Sequence, residues 1–331
     1  GFSYSYDMLG EAAKTHADAL HYYDAYKGAI TAISSATKSH DCWENPGISV
    51  KLSALHPRYE VAQQDRVMAD LAPRLLTLAQ MAKAAKMGLN IDAEEADRLG
   101  LSLQVIEQVF ADPSLAGWSG FGVVVQAYSR RAPAAIDWLY DLAQRHDRKM
   151  MVRLVKGAYW DTEVKRAQVL GLSSFPVFTR KVATDVSYIA NARKLLGMTD
   201  RIYPQFATHN AHSVAAILQM ATATQRFEFQ RLHGMGEVLH DIVHARTKRP
   251  CRIYAPVGAH RDLLAYLVRR LLENGANSSF VNQIIDVNQP PEVVATCPFE
   301  TLNTEGPGVN RVLKTGRSLF DVRQNALGFD L

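Results

Sequence analysis

GFGVVVQAYSRRAPAAIDWLYDLAQRHDRKMMVRLVKGAY (residues 120–159) holds the pattern that decides the fold. It begins on an apolar, β-branched run, GFGVVVQAY (120–128), and ends on a second, KMMVRLVKGAY (149–159). Between them AAIDWLYDLAQRH (134–146) has the spacing of an amphipathic helix. Strand, helix and strand in this order give a parallel pair with a crossover. The same alternation runs outward in both directions. Upstream lie FSYSYDML (2–9), GISVKLSAL (47–55) and GLNIDAE (88–94); downstream lie YPQFATHN (203–210), FEFQRLHGMG (227–236) and CRIYAPVG (251–258). Helical stretches such as RVMADLAPRLLTLAQMAKAAKMG (66–88) and SVAAILQMATAT (213–224) separate them. Eight strands alternating with helices predict a closed (β/α)8 barrel, an α/β TIM-like fold. An open doubly wound sheet is the alternative, but no GxGxxG follows the first strand.

One crossover is long. The gap from Tyr159 to Tyr203 predicts two helices, broken at SSFP (173–176). Barrel character is expected through residue 289, and residues 290–331, rich in Pro, Gly and Asn, as an irregular tail or linker.

The 331 residues are 47% hydrophobic and 21% charged, ordinary for a globular chain, and the net charge of +4 is mild. No Lys/Arg stripe points to nucleic acid. Cys42, Cys251 and Cys297 lie far apart, which argues against a disulfide framework or a zinc finger and fits a reducing cytoplasm. No apolar run is long enough to span a bilayer. The chain starts on a strand without Met, as expected of an excerpt from a longer protein.

Chemistry in such barrels gathers at the C-terminal ends of the strands. Those ends carry Asp7, Lys51, Asp92 with Glu94, Gln126, Arg153 with Lys156, Thr208 with His209 and Asn210, Gln230 with His233, and Tyr254. A buried barrel wall is not expected to hold so many polar groups; a mouth for a polar ligand is. HGMGE (233–237) and APVGA (255–259) are either tight glycine turns or a phosphate cradle. In YLVRRLLENG (266–275), Tyr266, Arg269, Arg270 and Glu273 share one helical face, and Leu264, Leu267, Val268 and Leu271 the other. The arginines are ordinary surface charges or a forked grip for a carboxylate or phosphate. Metal is the rival chemistry. His209 and His212, His240 and His244, with Asp92 and Glu94 as oxygen donors, allow a metal-dependent barrel hydrolase or aldolase. The first strand lacks HxH, however, and no GxSxG marks a serine nucleophile. A barrel used as a binding scaffold is the non-enzymatic alternative.

KLSALHPRYE, NIDAEEADRL, VVVQAYSRRA, RLVKGAYWD, FATHNAHS, EFQRLHGMGE, RIYAPVGAH and LLAYLVRRLLENGANSSFVNQ resemble the proline dehydrogenase domain of bacterial proline utilization A, over about residues 1–285. The resemblance implies a distorted barrel with the helix after strand 8 lying over its mouth. It implies FAD at the strand ends, oxidation of L-proline to Δ1-pyrroline-5-carboxylate by hydride transfer to flavin N5, and electrons passed to a membrane quinone. Arg269, Arg270 and Lys51 then grip the proline carboxylate. Tyr254 and Tyr266 wall its ring, Tyr266 filtering ring hydroxyls. Asp92 stands beside the flavin and bears on the amine proton, and Glu11 pairs with Arg269 to close the site. On the flavin side, Arg153 donates toward N5 and Gln126 contacts the isoalloxazine. Val155, Lys156, Gly157, Ala158, Tyr159 and Trp160 line the cofactor, as do Thr208, His209, Asn210, Gln230 and Leu232. Thr179, Arg180 and Lys181 hold the adenosine and pyrophosphate, and Glu273 approaches the ribityl chain. HNAH is then a cofactor loop with no metal. The resemblance also implies a cytoplasmic protein, peripheral at the inner membrane when intact. The longer protein is expected to carry an aldehyde dehydrogenase domain, and in some members a DNA-binding domain, neither of which this sequence contains.

Overall fold

The computed structural model describes residues 2–259, 263–275, 290–306, 310–320, 322 and 326–328. The predicted strands form one closed parallel barrel in sequence order: β1 (Phe2–Met8), β2 (Gly47–Val50), β3 (Leu89–Ile91), β4 (Phe121–Gln126), β5 (Met150–Val155), β6 (Ile202–Ala207), β7 (Glu228–Leu232) and β8 (Cys251–Val257). Parallel pairing of β1 with β8, Phe2 opposite Cys251 through Met8 opposite Val257, closes it and leaves no sheet edge.

The crossovers are α1 (His16–Ser34), α2 (Leu52–Leu55), α3 (Gln64–Ala84), α4 (Leu99–Ala111), α5 (Ala132–Arg145), α6 (Trp160–Val169), α7 (Lys181–Leu196), α8 (Ala211–Met220), α9 (Glu237–Thr247) and α10 (Leu263–Gly275). The long crossover holds the two expected helices, α6 and α7. Helix α1 starts on a capping box in which Asp18 N donates to Thr15 Oγ1 (3.1 Å) and Thr15 N to Asp18 Oδ2 (2.9 Å). The main core lies between strands and helices, where Tyr26, Leu71, Phe110, Leu139, Phe206 and Phe229 are buried.

The barrel interior corrects one expectation. Polar residues do line a buried wall. Glu228 takes a two-pronged ion pair from Arg252 (2.7 and 3.0 Å) and accepts from Gln205 (2.8 Å) and Gln230 (2.7 Å). Asn90 donates to Gln205 (2.8 Å). Arg252 also donates to the carbonyls of Asn45, Trp43 and Tyr4. The network is tolerated because its charged members, Glu228 and Arg252, satisfy each other. Below it, Trp43 stacks on Tyr203, ring centroids 4.3 Å apart.

The segment expected to be irregular contains α11 (Pro291–Val294) and α12 (Pro298–Glu305), and it is docked, not trailing. Arg180 on the N-terminal edge of α7 pairs with Glu305 and donates to Gly306 O (2.6 Å). Asn310 N donates to Thr179 Oγ1 (3.0 Å), and Gln168 of α6 to Lys314 O (2.8 Å). Leu313 packs on a satellite cluster of Tyr128, Val164, Ala167, Phe175 and Val177. Residues 276–289, at the expected barrel boundary, lie outside the described residues.

Candidate active site

The upper barrel gathers the ends of five strands, β1, β2, β3, β5 and β8, into one polar and ionic cluster. Strand alternation turns Ser5 and Asp7, Ser49 and Lys51, Asp92, Arg153 and Tyr254 into the barrel. Lys51, directly after β2, directs Nζ to Asp7 Oδ1 (2.7 Å) and Asp92 Oδ2 (3.2 Å), with Tyr254 OH at 3.5 Å. Tyr254 donates to Asp92 Oδ2 (2.9 Å). Arg153 reaches across from β5, donating to Asp92 Oδ1 (3.0 Å), Ser49 Oγ and Ser5 Oγ (3.1 Å each), its guanidinium 5.2 Å from the Tyr254 ring centroid. Asp92 thus accepts from three side chains at once. Lys51, Asp7 and Arg153 are 5%, 1% and 2% exposed. Burial raises the Asp7 carboxyl above its ordinary value against the attraction of Lys51, and its carboxylate neighbours hold Lys51 well above the usual ammonium range.

Helix α10 crosses above this cluster. Arg269 makes a two-pronged ion pair with Glu11 in the loop after β1 (2.6 and 3.0 Å) and lies 5.3 Å over the ring of Tyr159 in the loop after β5. Those loops stand on opposite walls of an eight-strand barrel, so the helix spans the mouth. Arg270 lies 5.4 Å over the Tyr266 ring, and Tyr266 is 9% exposed. Leu264 and Leu271 on the other face are 68% and 70% exposed. The polar face looks inward and the apolar face outward, the reverse of an ordinary barrel helix. Backbone placement puts Glu273 on this helix; its side chain lies outside the described residues.

The residues assigned to a cofactor line the strand ends on the opposite half. Gln126 donates to Glu94 O (2.9 Å) and accepts from Ala158 N (3.4 Å). The stretch Val155 to Trp160 leaves β5 through Gly157, whose φ of +134° and contact with the Tyr128 ring exclude a side chain (an added Cβ would sit 2.5 Å from it). Lys156 and Lys181 both pair with Asp185, and Trp160 Nε1 donates to Phe178 O (2.9 Å). Thr179 and Arg180 engage Glu305, Gly306 and Asn310, so the docked C-terminal segment walls this end. The HNAH loop turns on itself: Asn210 Oδ1 caps α8 at Ser213 N (2.9 Å), and His209 Nε2 accepts from Leu232 N (3.0 Å). Burial holds the His209 imidazole down to about 3, hence neutral. His240 and His244 of HDIVH each face a backbone carbonyl, of Thr208 and Arg249 (2.9 Å both). Among the described residues no three His, Cys, Asp or Glu converge as metal ligands.

Among the described buried side-chain atoms without a protein partner are Arg153 Nε and Gln230 Oε1. A donor and an acceptor left open beside a glycine-shaped loop fit a polar, planar ligand. The sequence reading placed Asp7 at the mouth without a partner and gave no role to Ser5, Ser49 or Ser53. The signal for Ser5 and Ser49 was the two-residue spacing in SYD and SVK, which puts them on one strand face with Asp7 and Lys51; nothing local marked Ser53, which lies in α2.

A parallel barrel with a buried ionic cluster under an inverted amphipathic helix defines a (β/α)8 protein with a candidate ligand site at its C-terminal mouth. The sequence model of one family, proline dehydrogenase, matches residues 1–283, and the chain belongs to that family. It is 57% identical to the bifunctional protein PutA of Salmonella typhimurium over 310 residues, 91% of this chain and 24% of that protein. It is 26% identical to proline dehydrogenase 1 of Bacillus subtilis over 285 residues, 85% of this chain and 81% of that protein. A solved structure of a point mutant of Bradyrhizobium japonicum proline utilization A superposes with a TM-score of 0.96 at 55% identity, over 99% of this chain and 34% of that one. The chain spans about a quarter of the length of the PutA relative (24%). No helix among the described residues is long and apolar enough to cross a membrane.

Proposed function

We propose that this chain oxidises L-proline to Δ1-pyrroline-5-carboxylate with FAD at the barrel mouth and a membrane quinone as the next acceptor, the first step of proline catabolism. The observation that carries the reading is the orientation of α10, which turns Tyr266, Arg269 and Arg270 toward the mouth and its leucines to solvent.

The substrate carboxylate is bound by Arg269 and Arg270 from above and by Lys51 from the barrel wall. Arg269 keeps donors beyond the two given to Glu11, because a guanidinium carries five N–H groups. Tyr254 and Tyr266 flank the ring, and Tyr266 leaves no room for a hydroxyl on it. Glu11, held by Arg269, shuts the mouth and excludes water. Asp92 accepts from Arg153, Lys51 and Tyr254 together, so its oxygens are committed to aligning those three groups. We assign it positioning of the donor carbon in place of direct action on the amine proton.

FAD fits the other half of the mouth. Arg153 Nε and Gln230 Oε1 offer the open donor and acceptor, Gln126 and the Val155–Trp160 turn the wall, and Thr208 to Asn210 with Leu232 the floor. Thr179, Arg180 and Lys181 serve its adenosine and pyrophosphate end. When bound, FAD supplies the hydride acceptor at N5, chemistry no side chain here can provide. Arg153 contributes fixed positive charge where negative charge develops, and its bonds to Ser5, Ser49 and Asp92 prevent it from reorganising. The substrate amine must enter unprotonated so that its lone pair can expel hydride.

The direct check is chemical. FAD-loaded protein given L-proline and a dye acceptor is expected to form a product that condenses with 2-aminobenzaldehyde to a coloured adduct, as a pyrroline does. Dye reduction without that adduct would move the substrate to another amine.

A further inference from the structure

Glu94 lies two residues beyond Asp92 and belongs to no part of the clamp just described. Its side chain is 6% exposed. One carboxylate oxygen accepts from Ser53 N (3.0 Å) and the other from the Ser53 hydroxyl. Ser53 sits in α2, two residues after Lys51. Its hydroxyl oxygen accepts from Ala12 N (2.9 Å), and its carbonyl accepts from Ala13 N (2.9 Å). Ala12 is in the left-handed region, φ 52°, which a non-glycine residue adopts only when its surroundings impose it. The residue before it is Glu11, which holds Arg269 over the mouth.

Resting on the proline-oxidising assignment above, we infer that Glu94 and Ser53 are positioning residues: ionised Glu94 orients the Ser53 hydroxyl, Ser53 pins the backbone of Ala12 and Ala13, and that pin sets Glu11 to close Arg269 over the substrate. A hydroxyl has one proton. While it points at the Glu94 carboxylate, the lone pairs face Ala12 N–H, and every group in the chain is satisfied.

The latch therefore depends on the charge of Glu94. Desolvation in its pocket raises that carboxyl to about 7. The groups facing it are Ser53 from α2, Arg98 at 3.5 Å and Glu95 from the turn after β3, Tyr59 from the segment after α2, and Tyr159 from the loop after β5. Arg98 is the one cation among them; it also pairs with Glu95 and lies over the Tyr59 ring. Above its pKa, Glu94 is ionised and the latch is made. Below it, Glu94 carries a proton and the hydroxyl loses its charged acceptor, so substrate binding weakens as pH falls.

The test uses purified, FAD-saturated protein and tetrahydrofuran-2-carboxylate, which keeps proline's ring and carboxylate but has no amine to titrate. Its dissociation constant is measured by calorimetry about one unit below and about one unit above the Glu94 value. The unsubstituted protein is expected to bind about tenfold more weakly on the acid side, tenfold being about 1.4 kcal/mol. Glu94→Gln is expected to bind weakly at both, without pH response, and Ser53→Ala likewise. In a Glu11→Ala background neither substitution adds a further loss, because the residue they position is gone. Unchanged affinity and an unchanged pH response in both single variants would overturn the latch. An unsubstituted protein that binds neither this probe nor L-proline contradicts the underlying assignment instead, so the two failures are distinct.

Discussion

Arg269→Met and Arg270→Met are each expected to raise the KM for L-proline by about 100-fold, since removing one partner of a buried, hydrogen-bonded charge pair costs about 2–5 kcal/mol. FAD stays bound in both, because the arginines face the substrate half of the mouth. Met preserves the aliphatic stem and removes the fork. The loss is expected mostly in KM and less in kcat, as for a contact made equally in ground and transition states. Arg269→Met carries the larger effect: it also frees Glu11, which is left as an anion beside an anionic substrate. Steady-state kinetics with the flavin-to-protein absorbance ratio as the occupancy control decide it. An unchanged KM in both variants contradicts the clamp.

Lys51→Met is expected to produce the largest loss of stability, about 3–5 kcal/mol, the usual cost of removing one member of a buried ion pair. Lys51 is the cation between Asp7 and Asp92, and Asp7 is 1% exposed. The pH dependence gives the cause. Burial already raises the Asp7 carboxyl above its ordinary 3.8, and losing Lys51 raises it further. A carboxyl raised in the folded state binds its proton more tightly there than in the unfolded chain, so the folded variant holds its stability below pH 3.8 and loses it as pH rises through the raised value. Urea unfolding should therefore show the deficit relative to the unsubstituted protein growing from acid to neutral pH. A deficit independent of pH would mean lost packing, not an orphaned carboxylate.

The strands were legible because parallel barrel strands are buried on both faces, and runs such as FGVVVQ and MMVRLV have little other use. The mouth residues were legible because they end those runs. The inward tilt of α10 was not. Periodicity separates Tyr266, Arg269 and Arg270 from Leu264, Leu267, Val268 and Leu271, but it cannot say which face meets the barrel, and ordinary burial favours the leucines. The resemblance supplied the answer that the pattern lacked. The polar interior was misjudged for a related reason. FEFQRL and CRIY alternate as a strand should, yet Glu228 and Arg252 can enter a dry interior only because each finds the other, and pairing across strands is invisible to a local reading. Glu94 shows the same limit: beside Asp92 it suggested a metal ligand, whereas Ser53, 41 residues earlier, gives it its partner. The C-terminal segment lacks periodicity, and its order comes from tertiary contacts with α6 and α7.

The most direct measurement is the visible absorption spectrum of the purified protein with FAD, recorded before and after anaerobic addition of L-proline. The account predicts a bound-flavin band that bleaches on addition. A protein that takes up no FAD, or whose flavin band is unchanged by proline, would contradict it.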